Sequence, residues 1–497
     1  MENELNYAAP LQEEKPKVPA ADAAFAWVSL ALGFVFTHFA VKYFGGLWGG
    51  IFWALFGALG AAFVRVKRVA VKLSHIVVFG IAELFCFVPL FSASYFVNFL
   101  AGAFSFILYF YLTAAVSGAE LFGRHFVLDL IVGVMVRPFE NFARQPKSAF
   151  SIFRGRSRSK NVLYALIGLL MAVPLTFVVV ILLIRSDELF ADSINEFVIR
   201  LPNFSLSVFW EILFAVPVAM YIFGAVFSMN GAAPAHNGNV PSYRIFPPVI
   251  GYAAVTPICV FYFIYAVTQF VNIANAFEKT LNYSRFARNG FFELCAIAVI
   301  NLGVIVLMQT FSRRKDGDVK PLILRVYTVM LSVFTLLIIA TALTKMLMYI
   351  GEYGMTLLRV YTSWFMILLW LIFAVIIVLQ VCDFVVWKPL FVLFTVMLAV
   401  LCFGDMEGVI ARHNISAYQA GELSELDIYS FGELGYSAVE PLTELLEDSE
   451  NSFFTKHLKD ILETSVNHDK YDDKFAYFSI PRAKAQAALK RVKGLMR

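Results

Sequence analysis

The chain has 497 residues, of which 60% are hydrophobic and only 15% are charged, and its formal net charge is +4. Its mean hydropathy is +0.73. These residues supply too little polar surface to cover a water-soluble globule of this size, so the composition excludes a soluble protein and indicates a polytopic membrane protein.

Eleven stretches are long and apolar enough to cross a bilayer, since a hydrocarbon core of about 30 Å needs roughly 20 apolar residues in a helix. The predicted spans are 22–42, 45–64, 72–92, 96–117, 161–184, 205–228, 247–270, 289–311, 321–345, 357–380 and 386–404. Residues 1–21 form a polar N-terminal tail without an apolar stretch, so we do not expect a cleavable signal peptide. The sequence predicts an all-α transmembrane helix bundle of about 11 spans over 22–404.

Lysine and arginine gather in three loops on one side of this predicted bundle. The loop after the second span contains Arg65, Lys67, Arg68 and Lys72. The segment after the fourth contains Arg124, Arg137, Arg144, Lys147, Arg154, Arg156, Arg158 and Lys160. The loop after the eighth contains Arg313, Arg314, Lys315 and Lys320. Because positive charge is retained in the cytoplasm, we expect a cytoplasmic N-terminus and, after eleven spans, an extracytoplasmic C-terminus.

The segment 118–160 differs from the spans around it. Its apolar run His125–Val136 is short and contains Asp129, which favours an interfacial or re-entrant helix. The basic run Arg154–Lys160 then either anchors the chain at the cytoplasmic surface or binds anionic lipid headgroups.

Small residues recur every four positions in the second span, at Gly46, Gly50, Ala54, Ala58 and Ala62. This spacing aligns them along one ridge of a helix. It predicts close packing against another helix, either within the bundle or in a homodimer.

The composition changes at Asp405, after which 16 acidic residues outnumber 11 basic ones. Apolar residues have helical spacing over 408–420, 423–447, 452–466 and 481–496. We predict a soluble helical C-terminal module over 405–497 that packs on a face of the bundle. The alternative is a loosely attached tail, which the dense apolar residues between Tyr418 and Leu434 disfavour.

No motif in the chain points to catalysis or to metal binding. The five cysteines lack Cys-x-x-Cys spacing and a neighbouring histidine pair. The chain also lacks a nucleophile elbow, a phosphate-binding loop and a kinase signature. We therefore expect no catalytic residue, metal or cofactor and no nucleic-acid partner, and we lean against an enzyme.

Charged and aromatic residues collect near the ends of the seventh to tenth spans, on the side that the charge rule assigns to the exterior, and Asp187 follows the fifth span on the same side. The candidate ligand-binding residues are Asp187, Arg285, Arg288, Glu293, Lys345, Tyr349, Tyr353, Thr356 and Arg359. Cations are normally excluded from short outer loops, and the guanidinium group suits a carboxylate or phosphate. In the alternative interpretation, the arginines pair with Glu293, Asp187 or Glu352 and fix the helix ends.

Four polar residues lie deeper, within or at the ends of spans: Glu83, Glu211, Asn301 and Asp383. A proton-coupled transporter needs a carboxylate that faces a wet cavity. The chain lacks the paired interrupted helices typical of transporter sites, so the sequence favours helix packing for each of the four.

Four segments resemble an uncharacterised family of bacterial polytopic membrane proteins, the domain-of-unknown-function 4173 type and its 4153-like relatives. They are Leu182–Phe190, Tyr283–Leu294, Tyr349–Arg359 and Phe403–Asn414. The resemblance implies the bacterial cytoplasmic (inner) membrane and implies no activity.

Two functional hypotheses follow. In the first, the outer polar cluster binds or transports an anionic solute or lipid headgroup. In the second, the protein is a non-catalytic membrane sensor or scaffold, and the C-terminal module presents a surface to a protein partner.

Overall fold

The structure is a computed structural model. It describes residues 19–43, 45–123, 125–153, 206–230, 246–276, 291–313, 321–382, 384–423, 425–427, 430–448 and 475–492, and eight isolated positions between 176 and 192. The predicted span 161–184 lies almost entirely outside the described residues. Arg285, Arg288 and Asp383 lie outside them as well.

The regular structure of these residues is helical, apart from one isolated bridge between Phe246 and Ser312. The helices are α1 (Ala20–Val35), α2 (Leu47–Lys67), α3 (Leu73–Cys86), α4 (Val88–Phe91), α5 (Tyr95–Val116), α6 (Phe126–Ile131), α7 (Arg137–Glu140), α8 (Arg144–Ala149), α9 (Leu206–Ser228), α10 (Pro248–Ala276), α11 (Phe291–Phe311), α12 (Leu322–Tyr353), α13 (Leu357–Val381), α14 (Trp387–Phe403), α15 (Met406–Gln419), α16 (Ser430–Glu433), α17 (Val439–Asp448) and α18 (Ile480–Val492). Single π-helical turns follow α1 at Phe36–Ala40 and α6 at Val132–Val136.

Nine helices in the described ranges are long and apolar enough to cross a membrane. A tenth arises if α14 and α15, which meet at a bend of 63°, count as one span. The prediction of an all-α polytopic helix bundle is therefore confirmed. α14 has only 17 residues, so the stretch predicted as the last span is a short helix that turns sharply where the polar C-terminal residues begin.

One compact unit comprises residues 1–38, 58–70 and 134–230. Its α1 and α9 pack with their backbones close together, because a Cβ added at Gly33 would meet the Ala215 carbonyl oxygen and, at 3.0 Å, the Ala219 Cβ. Asp22 forms an ion pair with Lys67 in the same unit. Small residues therefore bring these two helices into direct contact, as is typical of membrane bundles.

The second compact unit comprises residues 39–57, 71–133 and 231–497. In it, a Cβ added at Gly50 of α2 would meet the Cys86 carbonyl oxygen of α3. The small-residue ridge of the second span thus includes a tight contact between two helices, while Ala58 and Ala62 further along α2 are exposed.

Helices α10, α11, α12 and α13 form an apolar four-helix cluster in the second unit. Its buried core includes Val255, Leu294, Ala298, Leu331, Ile339, Met366 and Phe373. Asn301 Nδ2 donates to Thr335 Oγ1 at 2.9 Å, and Gln309 Nε2 donates to Thr328 Oγ1 at 3.0 Å. As the residue number of the α11 partner increases, that of the α12 partner decreases, so the two helices are antiparallel. The start of α11 therefore lies level with Lys345.

Ring contacts fix the register of α10 against α12. The Tyr252 ring stacks on Tyr327 with centroids 5.0 Å apart, and Tyr262 meets Phe334 edge to face at 6.3 Å. The residue numbers of the paired rings increase together along both helices, so α10 and α12 are parallel. This register brings Gln269 of α10 to within about one helical turn of the level of Lys345, a rise of about 6 Å.

The described residues of the predicted C-terminal module share an apolar core. It contains Ile410, Ile415, Phe431, Leu434, Val439, Leu442, Leu445 and Leu446, and Met355, Leu357 and Val360 of the preceding helices pack against it. Over 423–447, where the apolar residues have helical spacing, the described residues form the two short helices α16 and α17 with a 3-10 turn between them. Gly421 and Gly435 have φ values of +75° and +61°, which place turns at both positions.

Candidate functional site

Four of the sequence-predicted site residues lie around one turn between two helices of the second unit, and a fifth, Lys345, lies about two helical turns earlier on the first of these helices. Lys345, Tyr349 and Tyr353 are spaced by four residues on α12 and share a face. Thr356 and Arg359 begin α13, where the Thr356 Oγ1 accepts a hydrogen bond from the Arg359 backbone N–H at 3.4 Å and caps the helix. We call residues Tyr353–Thr356 the Gly354 turn.

The guanidinium of Arg359 is engaged within this turn. Its Nη1 donates to the Tyr353 carbonyl oxygen at 3.1 Å and to the Gly354 carbonyl oxygen. The same group lies over the Tyr349 ring, 4.3 Å from the centroid. Arg359 therefore satisfies carbonyl groups at the end of α12, where a cation is also favoured by the helix dipole.

The C-terminal module holds the Gly354 turn from the other side. Asn414 of α15 accepts a hydrogen bond from the Met355 N–H at 2.7 Å and donates to the Met355 carbonyl oxygen at 2.8 Å. Its side chain thus pairs with both backbone groups of one residue. Tyr361 adds a hydrogen bond from its hydroxyl to Glu407 Oε1 at 3.2 Å.

Gly354 has the backbone conformation that this arrangement requires. Its φ of 72° and ψ of −177° lie in a region that is essentially restricted to glycine. A Cβ at this position would also lie 2.8 Å from Asn414 Oδ1. The site therefore needs glycine at 354 for two separate reasons.

Lys345 is buried one turn below Tyr349. Only 8% of the residue is exposed, and it belongs to a helix whose adjacent Ala342 and Met346 lie in the apolar core. Removing an ammonium group from water is costly unless other charged or polar groups surround it. The buried Lys345 ammonium is therefore a candidate centre for ligand binding within the apolar four-helix cluster.

Two polar groups on α10 face the same apolar core from just below the level of Lys345. The Tyr265 hydroxyl and the Gln269 Oε1 are buried, and neither has a hydrogen-bond partner within the described ranges. Tyr265 packs against the four-helix core, and Gln269 lies four residues further along the same face of α10. Lys345 and Tyr265 supply an ammonium and a hydroxyl that can donate to a carboxylate or phosphate, while the Gln269 Oε1 can accept a hydrogen bond from a protonated group of the same ligand.

The other two described candidates are exposed. Glu293, in the first turn of α11, lies near the level of Lys345 with its side chain outward. Asp187 belongs to the first unit, and its Oδ1 accepts a hydrogen bond from the Phe190 backbone N–H at 3.3 Å. Its role as a candidate remains a prediction.

The deeper polar residues that the structure describes are engaged with neighbouring helices. Asn301 accepts from the Tyr262 hydroxyl at 2.8 Å. Glu211 lies 2.5 Å from His38 Nδ1, beside the π-helical turn that follows α1. Glu83 and the Tyr109 hydroxyl both lie beside Gly57, where a Cβ would meet them. Each of these arrangements joins two or more spans.

Sequence reasoning missed Asn414, Tyr265 and Gln269. Asn414 did carry a signal, because it lies on the same helical face as Ile410 and Ala411, and a polar residue on a buried face needs a partner. The two α10 residues gave no comparable signal, because the register between α10 and α12 cannot be derived from either segment alone.

Among the residues that the structure describes, no group of three or more His, Cys, Asp or Glu side chains is arranged to hold a metal ion.

The family model "Domain of unknown function (DUF4153)" matches residues 79–445, which include the four-helix cluster, the Gly354 turn and most of α17. No curated protein and no solved structure matches the chain significantly. The chain is therefore an integral membrane protein that belongs to the DUF4153 family.

Proposed function

We propose that the protein binds an anionic group at Lys345, on the extracytoplasmic side of the bacterial cytoplasmic membrane. The ligand is the carboxylate or phosphate of a solute or of a lipid headgroup. The observation that carries this proposal is the burial of the Lys345 ammonium in an apolar helix cluster, in which the buried polar atoms of Gln269 and Tyr265 on α10 lie about one and two helical turns below it.

The distribution of charge supports the proposed side. Arg313 follows the end of α11, and Lys388 lies in the first turn of α14, at the opposite end of these helices from the Gly354 turn. Positive residues at that opposite end favour its placement in the cytoplasm. Lys345 would then face the exterior.

Replacement of Lys345 with methionine tests the proposal in the purified full-length protein. Thermal unfolding is measured in two arms, with sodium phosphate against sodium chloride at equal ionic strength, and with phosphatidylglycerol against phosphatidylcholine in mixed micelles. We expect one anionic arm to raise the Tm of the wild type, because a ligand at a hundredfold its Kd stabilises the folded state by about 2.7 kcal/mol. The arm that responds identifies a free anion or a lipid headgroup.

Lys345→Met should lose this stabilisation, because the methionine side chain offers neither a charge nor a hydrogen-bond donor to the anion. Lys388→Met is the matched control, since it removes the same charge from an exposed position and should keep the response. The proposal is wrong if neither anion stabilises the wild type, or if Lys345→Met lowers the Tm by the same amount in every condition.

A second candidate function is a membrane sensor or scaffold that acts through the C-terminal module. The pairing of Asn414 with both backbone groups of Met355 favours it, because the module is then attached to the ends of two long helices at a defined position. A partner bound to the module would be held in a fixed orientation to the bundle.

Asn414→Ala tests this attachment. The substitution leaves two backbone groups without their partner, at a cost of about 1–3 kcal/mol for each group that stays buried. We expect faster amide hydrogen exchange in 406–419 and 439–446, with unchanged exchange in α11. Unchanged exchange in the module would mean that Asn414 does not hold it in place.

A further inference from the structure

The segment Phe475–Ile480 lies where two spanning helices begin. The Leu47 backbone N–H, at the first residue of α2, donates to the Ala476 carbonyl oxygen at 2.8 Å. The Tyr95 ring, at the first residue of α5, lies 6.4 Å from the Tyr477 ring. Both helices are long and apolar enough to span a membrane, and the segment lies at their first residues.

Aromatic rings from three parts of the chain meet at this level. Trp48 contacts Phe475 edge to face with centroids 5.7 Å apart, and Tyr43 contacts Tyr477 in the same way at 5.9 Å. Lys42 lies over the Tyr43 ring at 5.4 Å. Aromatic residues and a neighbouring lysine are typical of the membrane–water interface.

The segment also exposes large apolar side chains. Phe475 is 55% exposed, Phe478 45% and Ile480 40%. Tyr95 and Phe96 at the start of α5 are exposed as well, on a helix whose outward surface meets lipid. Exposed apolar side chains at the start of α5 therefore lie beside exposed apolar side chains of the C-terminal module.

We infer that Phe475–Ile480 inserts into the boundary between headgroups and acyl chains, so that the C-terminal module binds the bilayer surface directly. The occupant of this surface is lipid, because the aromatic segment is hydrogen-bonded to the first residue of a spanning helix and its exposed apolar side chains lie beside those at the start of α5. Arg482 fixes the direction of the segment, since its Nη1 donates to the Tyr477 carbonyl oxygen at 3.2 Å while its guanidinium lies over the Tyr436 ring at 5.4 Å. The inference does not depend on anion binding at Lys345.

Spin labelling of the full-length protein in lipid nanodiscs tests the inference. The labelled residue is Phe478→Cys, with Ile480→Cys as a second site, in a background in which Cys382 and Cys295 are replaced so that the label reacts at one position. Collision rates are measured with oxygen, which concentrates in lipid, and with a water-soluble nickel chelate. We expect oxygen to relax the label several-fold more effectively than nickel, as it does for Phe96→Cys on the lipid-facing surface of α5.

Glu433→Cys is the control within the same module, because Glu433 is charged and exposed. Its label should respond chiefly to nickel. The inference is overturned if the labels at 478 and 480 behave like the label at 433, which would place the segment in water. It is also overturned if both reagents are excluded from them, which would mean that protein covers the segment.

Discussion

Gly50→Val is expected to remove most of the folded protein. The added Cβ would overlap the Cys86 carbonyl oxygen and lie 3.4 Å from the Pro89 ring, so α2 and α3 cannot keep their distance. Overpacking of this kind typically costs about 1–3 kcal/mol, and a backbone carbonyl at the end of a helix cannot move aside as a side chain does. The measurement is the monodisperse fraction in size-exclusion chromatography, together with the Tm of that fraction.

Gly49→Val provides a matched control one residue earlier. A Cβ at Gly49 has nothing within 4 Å, and the substitution places the same β-branched residue in the same turn of α2. Its yield and Tm should stay close to those of the wild type. Equal losses for both variants would contradict a role for the Gly50 contact and would point to the helix propensity of valine as the cause.

Gly354→Ala is expected to loosen the C-terminal module from the bundle. The backbone conformation at 354 costs a non-glycine residue of the order of 1–3 kcal/mol. The Cβ would in addition press on Asn414 Oδ1, which bonds to Met355. Limited proteolysis should release fragments of the module from the variant at protease concentrations that leave the wild type intact.

Gly351→Ala is the control for this variant. Gly351 lies in the last turn of α12, has nothing within 4 Å of an added Cβ and has no positive φ. Alanine there should leave the protease resistance unchanged or increase it, because alanine has the higher helix propensity. The prediction fails if Gly354→Ala keeps the resistance of the wild type.

Hydropathy predicted most of the helices well, because a segment of about twenty apolar residues gains more free energy from burial in lipid than from any specific contact. The predicted spans 45–64, 205–228 and 357–380 correspond closely to α2, α9 and α13. Hydropathy was less accurate for helix ends. The stretch predicted to end at Lys345 continues as α12 to Tyr353, because hydropathy measures the apolar length and not the length over which backbone hydrogen bonds persist.

The grouping of Lys345, Tyr349, Tyr353 and Arg359 could be predicted because all four lie close together along the chain. The hydrogen bonds of the Arg359 guanidinium could not be predicted from the sequence. A sequence does not distinguish a guanidinium that faces a ligand from one that satisfies the carbonyl oxygens of Tyr353 and Gly354. Asn414 reaches the same turn from 59 positions further along the chain, and only the packing of α15 against it makes the contact visible.

The length of α12 has a mechanical consequence. Its 32 residues span about 48 Å, while a typical hydrocarbon core is about 30 Å thick. A helix with this excess adjusts to a thinner or thicker membrane by tilting. Since its final residue leads into a turn that Asn414 holds through both backbone groups of Met355, we expect such a tilt to displace the C-terminal module, so that its position would depend on the thickness of the surrounding bilayer.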